Sequence, residues 1–288
     1  MGYSSRYHAA SLAAVFLALA IGVLIGLGLG NSPRKSLERS LKSDIKNARS
    51  EADRLGGELG RERDFGSRVY PVLAGKRLRG ERIGVIAIGN LPRDVSGDIE
   101  QTLQPTGAKL VSVAVVRVPP SLDEVAKQLP KRAARNLASG GKGLDRYARQ
   151  AGRQLVKGGS LLRRTRDQLL SRASGSLGPL DDVILVRNLP ADLPSADKDA
   201  TSKLETGLVE GIHAAGRPVV AVERTDSDPS SVGFFDARQV STVDDVDLVA
   251  GQVAMVFSLL GAEGNFGVKG GADRLLPELL VPSRPRSG

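Results

Sequence analysis

Cysteine is absent from this chain of 288 residues, and its absence excludes disulfide bonds and thiolate metal sites. Histidine is nearly absent too, because only His8 and His213 occur. A serine or threonine hydrolase needs a base beside its nucleophile, and neither histidine has a nucleophile motif next to it. We therefore expect a protein that is not an enzyme, with no catalytic residue, no cofactor-binding residue and no metal site.

Polar side chains are almost missing from one long segment near the amino terminus. Residues 9–29 contain a single one, Ser11. A helix of this length covers about 32 Å, which matches the hydrocarbon core of a bilayer. The apolar run continues to Asn31 without a typical cleavage site, so it predicts an uncleaved transmembrane anchor over residues 1–31. A removed signal peptide and a buried soluble helix are the alternatives.

Small residues recur every four positions along this predicted anchor. They are Ala14, Ala18, Gly22, Gly26 and Gly30. A stripe of this kind lets a second helix approach closely, and we predict a helix-packing face here. The alternative is that alanine and glycine are simply common in membrane helices.

A second helical pattern follows the break at Ser32 and Pro33, a good N-cap and first-turn pair. Apolar residues then recur at spacings of three and four: Leu37, Leu41, Ile45, Ala48, Ala52, Leu55 and Leu59. The positions between them are largely charged, as in a coiled coil. We predict a helical stalk over residues 32–66 that pairs as a homodimer, with a single amphipathic helix packed on the domain as the alternative.

The composition leaves room for one globular domain after the stalk, because 25% of the residues are charged and 41% are hydrophobic. Four short apolar runs predict strands, at residues 82–90, 108–120, 181–190 and 216–225, with helical segments between the members of each pair. Strands that are apolar throughout indicate burial on both faces. The sequence therefore predicts a Rossmann-like α/β domain over residues 76–262 with a predominantly parallel sheet.

A strongly basic segment separates the two pairs of predicted strands. Residues 131–172 contain twelve lysines and arginines against two acids, a charge of +10 in a chain whose net charge is +9. We predict a basic helical insertion over residues 131–175, with Leu144, Ala148, Ala151, Leu155 and Leu162 on its apolar face. Its cations predict contact with an anionic lipid or wall polymer: Arg146, Arg149, Arg153, Lys157, Arg163 and Arg164.

Two other interpretations of this basic segment differ in how well they fit its sequence. A solvated helix that packs its apolar stripe on the domain fits the pattern as well as the anionic contact does. Nucleic acid is a poorer candidate, because the segment contains one aromatic residue, Tyr147, and no recognisable binding motif.

The last third of the chain contains an acidic motif and a glycine-rich ending. In "STVDDVD", residues 241–247, Thr242 and Asp245 have the spacing of a capping box that would open a helix reaching Leu260, and a cation site at the three carboxylates is the alternative. The Gly/Pro-rich C-terminal segment, residues 263–288, contains a predicted partner-binding loop formed by Gly264, Asn265, Phe266, Gly267 and Lys269. A turn-rich lid that closes the edge of the domain is the alternative.

Four features together resemble the copper transport protein B (MctB) family of actinobacteria. They are "HAASLAAVFLALAIGVLIG" at residues 8–26, the heptad-like stalk, "STVDDVD", and "GNFGVKGGADRLLP" at residues 264–277. The resemblance extends over nearly the whole chain and implies a role in copper efflux and copper homeostasis in the cell envelope. Copper is implied by this resemblance only, since Met1, Met255, His8 and His213 form no visible ligand set.

The resemblance also leaves an alternative function and a question of orientation. A related member implies a dimeric envelope adaptor that binds a membrane partner in cell separation and in the control of wall hydrolysis. The positive charges that follow the anchor, from Arg34 to Arg49, favour a cytoplasmic domain, whereas the resemblance implies an extracytoplasmic one. We predict a single-pass protein with an extracytoplasmic domain, because large domains often translocate despite their charge.

Overall fold

The computed structural model describes residues 14–23, 31–138 and 141–278, except for the side chains of residues 31–39 and 138. The chain divides into two compact units, Met1–Asp64 and Phe65–Gly288. Much of the predicted anchor, including Gly26 and Gly30, lies outside the described residues. Among the residues that are described, no helix is both long enough and apolar enough to cross a membrane.

The first unit contains helix α1, described over residues 14–23, and most of helix α2, Asn31–Ala74. Helix α2 is continuous through Gly56, Gly57 and Gly60, and it extends beyond residue 66, where the sequence pattern of the stalk ends. Its last turns belong to the second unit, in which Tyr70 and Ala74 are buried. Tyr70 anchors this end of the helix by donating a hydrogen bond to the carbonyl oxygen of Thr102, at 2.5 Å.

The second unit is built on a sheet that has seven strands within the described residues. They are β1 (Arg82–Gly89), β2 (Lys109–Val116), β3 (Leu170–Gly175), β4 (Asp182–Asn188), β5 (Val219–Val222), β6 (Ser241–Val243) and β7 (Asn265–Phe266). Their order is β3-β2-β1-β4-β5-β6-β7, and every neighbouring pair is parallel except β2 with β3. The predicted α/β fold with a predominantly parallel sheet is confirmed.

Helices cover both faces of this sheet. They are α3 (Arg93–Leu103), α4 (Leu122–Lys127), α5 (Lys131–Ala138), α6 (Lys142–Lys157), α7 (Ser160–Leu169), α8 (Ser195–His213), α9 (Val232–Asp236) and α10 (Val249–Leu259). One core contains apolar residues of α4 to α9, and the other contains those of α3, α10 and the end of α2. Alternate residues of β1 enter the two cores, as in a strand buried on both sides.

Three strands and one helix boundary differ from the sequence prediction. The end of the predicted insertion is β3, an edge strand that is mostly exposed, so its residues lack the apolar run of the inner strands. Strands β6 and β7 are only three and two residues long, too short to produce a pattern. The predicted capping box is wrong: Thr242 lies in β6 and donates to the side-chain oxygen of Asn265, and α10 begins only at Val249.

The basic segment forms three helices of the domain, α5, α6 and α7, and α6 packs along α8 beneath the sheet. The five residues of the segment's predicted apolar face are all buried, four on α6 and the last on α7: Leu144, Ala148, Ala151, Leu155 and Leu162. The crossing is close, since a Cβ atom added at Gly211 would lie 2.1 Å from the carbonyl oxygen of Arg149. A Cβ atom at Gly152 would similarly lie 2.2 Å from the carbonyl oxygen of Leu208. Glycine therefore sets the distance between these two helices.

We expect Gly211→Ala to lower the free energy of unfolding by about 1–3 kcal/mol, because the added methyl group meets rigid backbone. Gly97→Ala is the matched control, since Gly97 is an exposed position of α3 with no atom near its missing Cβ. That variant should gain up to about 1 kcal/mol from helix propensity. Denaturant unfolding of both variants checks the prediction, and a stabilised Gly211→Ala protein would contradict the close crossing.

Candidate functional site

The carboxyl ends of the parallel strands form the edge where α/β sheets most often bind ligands, and the strand order reverses there between β1 and β4. At this point the two Asn-Leu-Pro turns, residues 90–92 and 188–190, lie side by side. The amide of Asn90 donates to the carbonyl oxygen of Asn188 at 2.8 Å. Gly89 has φ +90°, and a Cβ atom there would lie 2.2 Å from the same oxygen. Backbone therefore closes the place that a ligand occupies in nucleotide-binding proteins with this type of sheet.

The helix that follows β1 is also unsuited to a phosphate group. Its N-cap is Pro92, which has no amide hydrogen. Asp94 stands in the first turn and accepts a hydrogen bond from the amide of Val95 at 3.0 Å. A carboxylate thus stands where the helix would otherwise attract an anion.

A buried ion pair lies further along this edge, between Glu223 after β5 and Lys269 after β7. The Lys269 ammonium is 2.7 Å from one carboxylate oxygen of Glu223 and donates to the carbonyl oxygen of Ser227 at 2.9 Å. The Ser230 hydroxyl and the Ser231 amide each donate to the same carboxylate, at 2.7 Å. Because the side chains of Lys269 and Glu223 are only 19% and 9% exposed, the pair joins its loops in one fixed arrangement.

Asp244 holds the glycine-rich segment against the end of β6. Its carboxylate is fully buried and accepts hydrogen bonds from the amides of Val268, at 2.8 Å, and Lys269, at 3.2 Å. Gly267, with φ +135°, allows this wrapping, since a Cβ atom there would lie 2.0 Å from the carboxylate. The segment is therefore folded around a buried acid.

The structure places the residues of the predicted partner-binding loop largely inside the domain. Phe266 is 1% exposed and Asn265 is 8% exposed. Asn265 donates to the Asp236 carboxylate at 2.8 Å, and Gly264 accepts from the amide of Thr242 at 3.1 Å. Lys269 belongs to the ion pair with Glu223. Val268 is the exposed apolar side chain within this loop, and the partner-binding loop and its alternative, a lid on the domain edge, both stay predictions.

A second charged cluster surrounds Arg224, one residue beyond Glu223. Its guanidinium bonds the carboxylate of Asp98 and lies 3.2 Å from Asp226 and 3.5 Å from Asp94. Burial raises the pKa of Asp98, and the Arg224 guanidinium opposes this rise. The helix after β1 is thereby tied to the loop after β5 by charge.

Asp247 and Asp245, both in the acidic motif at residues 241–247, differ in their hydrogen bonding. Asp247 accepts hydrogen bonds from the amide and the hydroxyl of Thr225, at 2.8 and 2.7 Å. Asp245 is fully buried, and neither of its two carboxylate oxygens has a hydrogen-bond partner. Burial, with Asp244 and Asp247 as further causes, raises the pKa of Asp245 to about 7. Across residues 14–23, 31–138 and 141–278, no three His, Asp or Glu side chains are grouped to bind one metal ion.

The predicted anionic contact lies on the outer side of α6 and α7, away from the buried stripe. Arg146, Arg149, Arg153, Lys157, Arg163 and Arg164 are all exposed. A groove of about 400 Å³ runs along α6, lined by Arg146, Arg149, Gln150, Arg153 and Gln154. Arg149 is partly neutralised, at 3.1 Å from Asp145 and 2.8 Å from Glu210. The charges can face an anionic surface, whereas the apolar face belongs to the domain core, so the contact remains a prediction.

The predicted helix-packing face of the anchor is described only in part. Ala14, Ala18 and Gly22 are exposed on α1, whereas Gly26 and Gly30 lie outside the described residues. Sequence reasoning missed Glu223, Arg224 and the pairing role of Lys269. One signal could have found the first two, because charged residues directly after a buried strand stand at the carboxyl edge of a parallel sheet.

We expect Lys269→Met to lower the free energy of unfolding by about 3 kcal/mol, because it leaves the buried Glu223 carboxylate without its cation. Lys203→Met is the matched control, since Lys203 forms an exposed pair with Asp199. This control should change stability by less than about 0.5 kcal/mol. Thermal unfolding of both variants at one pH measures the difference, and equal losses would show that Lys269 acts as a surface lysine.

The raised pKa of Asp245 predicts a pH-dependent effect of Asp245→Asn. The folded protein binds the proton more tightly than the unfolded chain, so stability from this group is complete below about pH 4 and declines as the pH rises to about 7. Asparagine resembles the protonated acid. The variant should therefore match the parent at pH 4 and exceed it by on the order of 4 kcal/mol at pH 8, since each pKa unit is worth about 1.4 kcal/mol.

Urea unfolding of parent and variant across this pH range gives the comparison. Asp182, whose pKa burial also raises to about 7, is present in both proteins and cancels. A constant difference between the two proteins at every pH would contradict the prediction.

No curated protein matches the chain. The model of one family, described as "Copper transport outer membrane protein, MctB", matches residues 3–277. This match includes α1, α2, the whole sheet and the loop around Asp244, so the chain belongs to the MctB family of copper transport outer membrane proteins.

Proposed function

We propose that this chain acts in copper efflux and copper homeostasis as a protein of the cell envelope. The observation that supports this function is the extent of the family match, which begins at residue 3 and reaches residue 277. The match therefore includes both compact units, so the family description refers to the chain as a whole rather than to its anchor or stalk alone. A single-pass anchor with the domain on the extracytoplasmic side is part of the proposal.

Copper is the cargo in this proposal, and the domain acts without a copper site of its own. His213 is exposed on α8, which packs on one face of the sheet. Met255 is fully buried in α10, on the other face. The Met255 thioether and the His213 imidazole therefore cannot bind the same copper ion. At the carboxyl edge, Glu223 is paired with Lys269 and Arg224 is paired with Asp98.

The paired charges at the carboxyl edge support a binding role in this proposal. Glu223, Lys269 and Asp244 at the carboxyl edge are fixed by a salt bridge and by hydrogen bonds to backbone amides, which suits a surface of constant shape. We therefore propose a non-enzymatic component that contributes to copper export together with other envelope proteins. The related role in cell separation is the alternative that an experiment must distinguish.

Deletion of the gene should lower copper tolerance and raise cell-associated copper several-fold, because export would lose a component. The intact chain supplied in trans should restore both values, and zinc tolerance should stay unchanged as the control for general envelope damage. Growth curves and elemental analysis of washed cells are the measurements. Normal copper content in deletion cells that stay attached to one another would refute the copper role and favour the adaptor.

A further inference from the structure

The first unit presents an apolar seam along α2 that no described part of that unit covers. Leu41, Ile45, Ala48, Ala52, Leu55 and Leu59 follow one another at spacings of four and three. In heptad notation, Leu41, Ala48 and Leu55 are d positions, and Ile45, Ala52 and Leu59 are a positions. Ile45 is 53% exposed, Leu55 45% and Leu59 57%. Large apolar side chains in a row at this spacing are typical of a helix that packs against another helix.

The charges beside the seam are separated by sign. The g positions are Asp44, Glu51 and Glu58, all acidic, whereas Arg49 and Arg63 are basic e positions. Glu51 and Glu58 bond Arg54 on the outer side of the same helix, at 2.5 and 2.6 Å. Such a carboxylate can accept further hydrogen bonds. In contrast, Arg49 and Arg63 form no ion pair with the described part of the chain.

This separation distinguishes two ways in which a pair of identical helices can associate. In a parallel pair, each g residue faces the e residue five positions later in the other helix. Asp44 would then face Arg49 of the second copy, and Glu58 would face Arg63 of the second copy. In an antiparallel pair, g faces g and e faces e, so acids would face acids and arginines would face arginines. Like charges in contact destabilise the pair.

We infer that α2 pairs with α2 of a second copy of this chain as a parallel, in-register coiled coil, with orientation set by the Asp44–Arg49 and Glu58–Arg63 contacts between copies. The occupant of the seam is a second copy because the charge pattern is complementary to itself in that one arrangement. This inference concerns the first unit and is independent of the proposed role in copper homeostasis.

The absence of cysteine allows a direct test by disulfide cross-linking in the full chain. Leu41→Cys, Ala48→Cys and Leu55→Cys place one thiol at successive d positions, about 10 Å apart along the helix. A disulfide requires Cα atoms within about 7 Å. In a parallel, in-register pair, all three variants should form a covalent dimer upon oxidation. The controls Ser43→Cys and Ser50→Cys, at the outer f positions, should stay monomeric.

The outcomes separate the alternatives. Dimer formation by only one of the three d variants would indicate an antiparallel pair and overturn the inference. The d variants could also cross-link no more than the f controls, while their helix content by circular dichroism stays unchanged. The seam would then pack against a different protein or against the chain's own second unit. This result would overturn the inference as well.

A charge exchange at one pair tests the orientation without cross-linking. Asp44→Lys alone and Arg49→Glu alone each place like charges together, and each should raise the dimer dissociation constant roughly fivefold. The double variant in one chain restores opposite charges in the parallel pair only, so it should return close to the parent value. Additive weakening in the double variant, measured by sedimentation of the full chain, would contradict the parallel arrangement.

Discussion

The apolar strands at the centre of this sheet need cover on both faces, and the rest of the second unit is arranged to provide it. Residues of β1 and β4 alternate between two cores, and neither core could exclude water without its own layer of helices. The end of α2, α3 and α10 provide one layer, and α4 to α9 contribute to the other. The basic character of α6 is therefore secondary to its structural role, because its apolar stripe is needed beneath the sheet.

Covering both faces leaves the carboxyl edge as the place where polar groups concentrate, and burial there determines how they are paired. Charge that is only partly hydrated is costly unless an opposite charge or hydrogen-bond donors lie beside it. Glu223 meets this condition with Lys269 and two serines, and Asp244 meets it with backbone amides of the glycine-rich segment. Glycine is required at position 267 because a side chain there would collide with the acid that the segment surrounds.

The sequence predicted the inner part of the fold and missed its edges for a physical reason. Strands β1, β4 and β5 are largely buried, β2 is buried towards its carboxyl end, and all four are mostly apolar, so their composition identifies them. Edge strand β3 is exposed, and β6 and β7 exist through pairing with residues distant in sequence. Thr242 has the local spacing of a helix cap, but its hydroxyl bonds Asn265, 23 positions away. Local patterns cannot report such contacts, and the pairing of Lys269 with Glu223, 46 positions away, could not be predicted for the same reason.

The glycines of α2 bear on how the stalk is stabilised. Each glycine within a helix costs about 1 kcal/mol relative to alanine. Gly56, Gly57 and Gly60 occupy e, f and b positions, so none of them interrupts the a and d residues of the seam. Their cost therefore reduces the stability of an isolated helix while leaving its packing surface intact. A helix of this kind depends on a partner more than an alanine-rich one would, because contact along the seam must offset that cost.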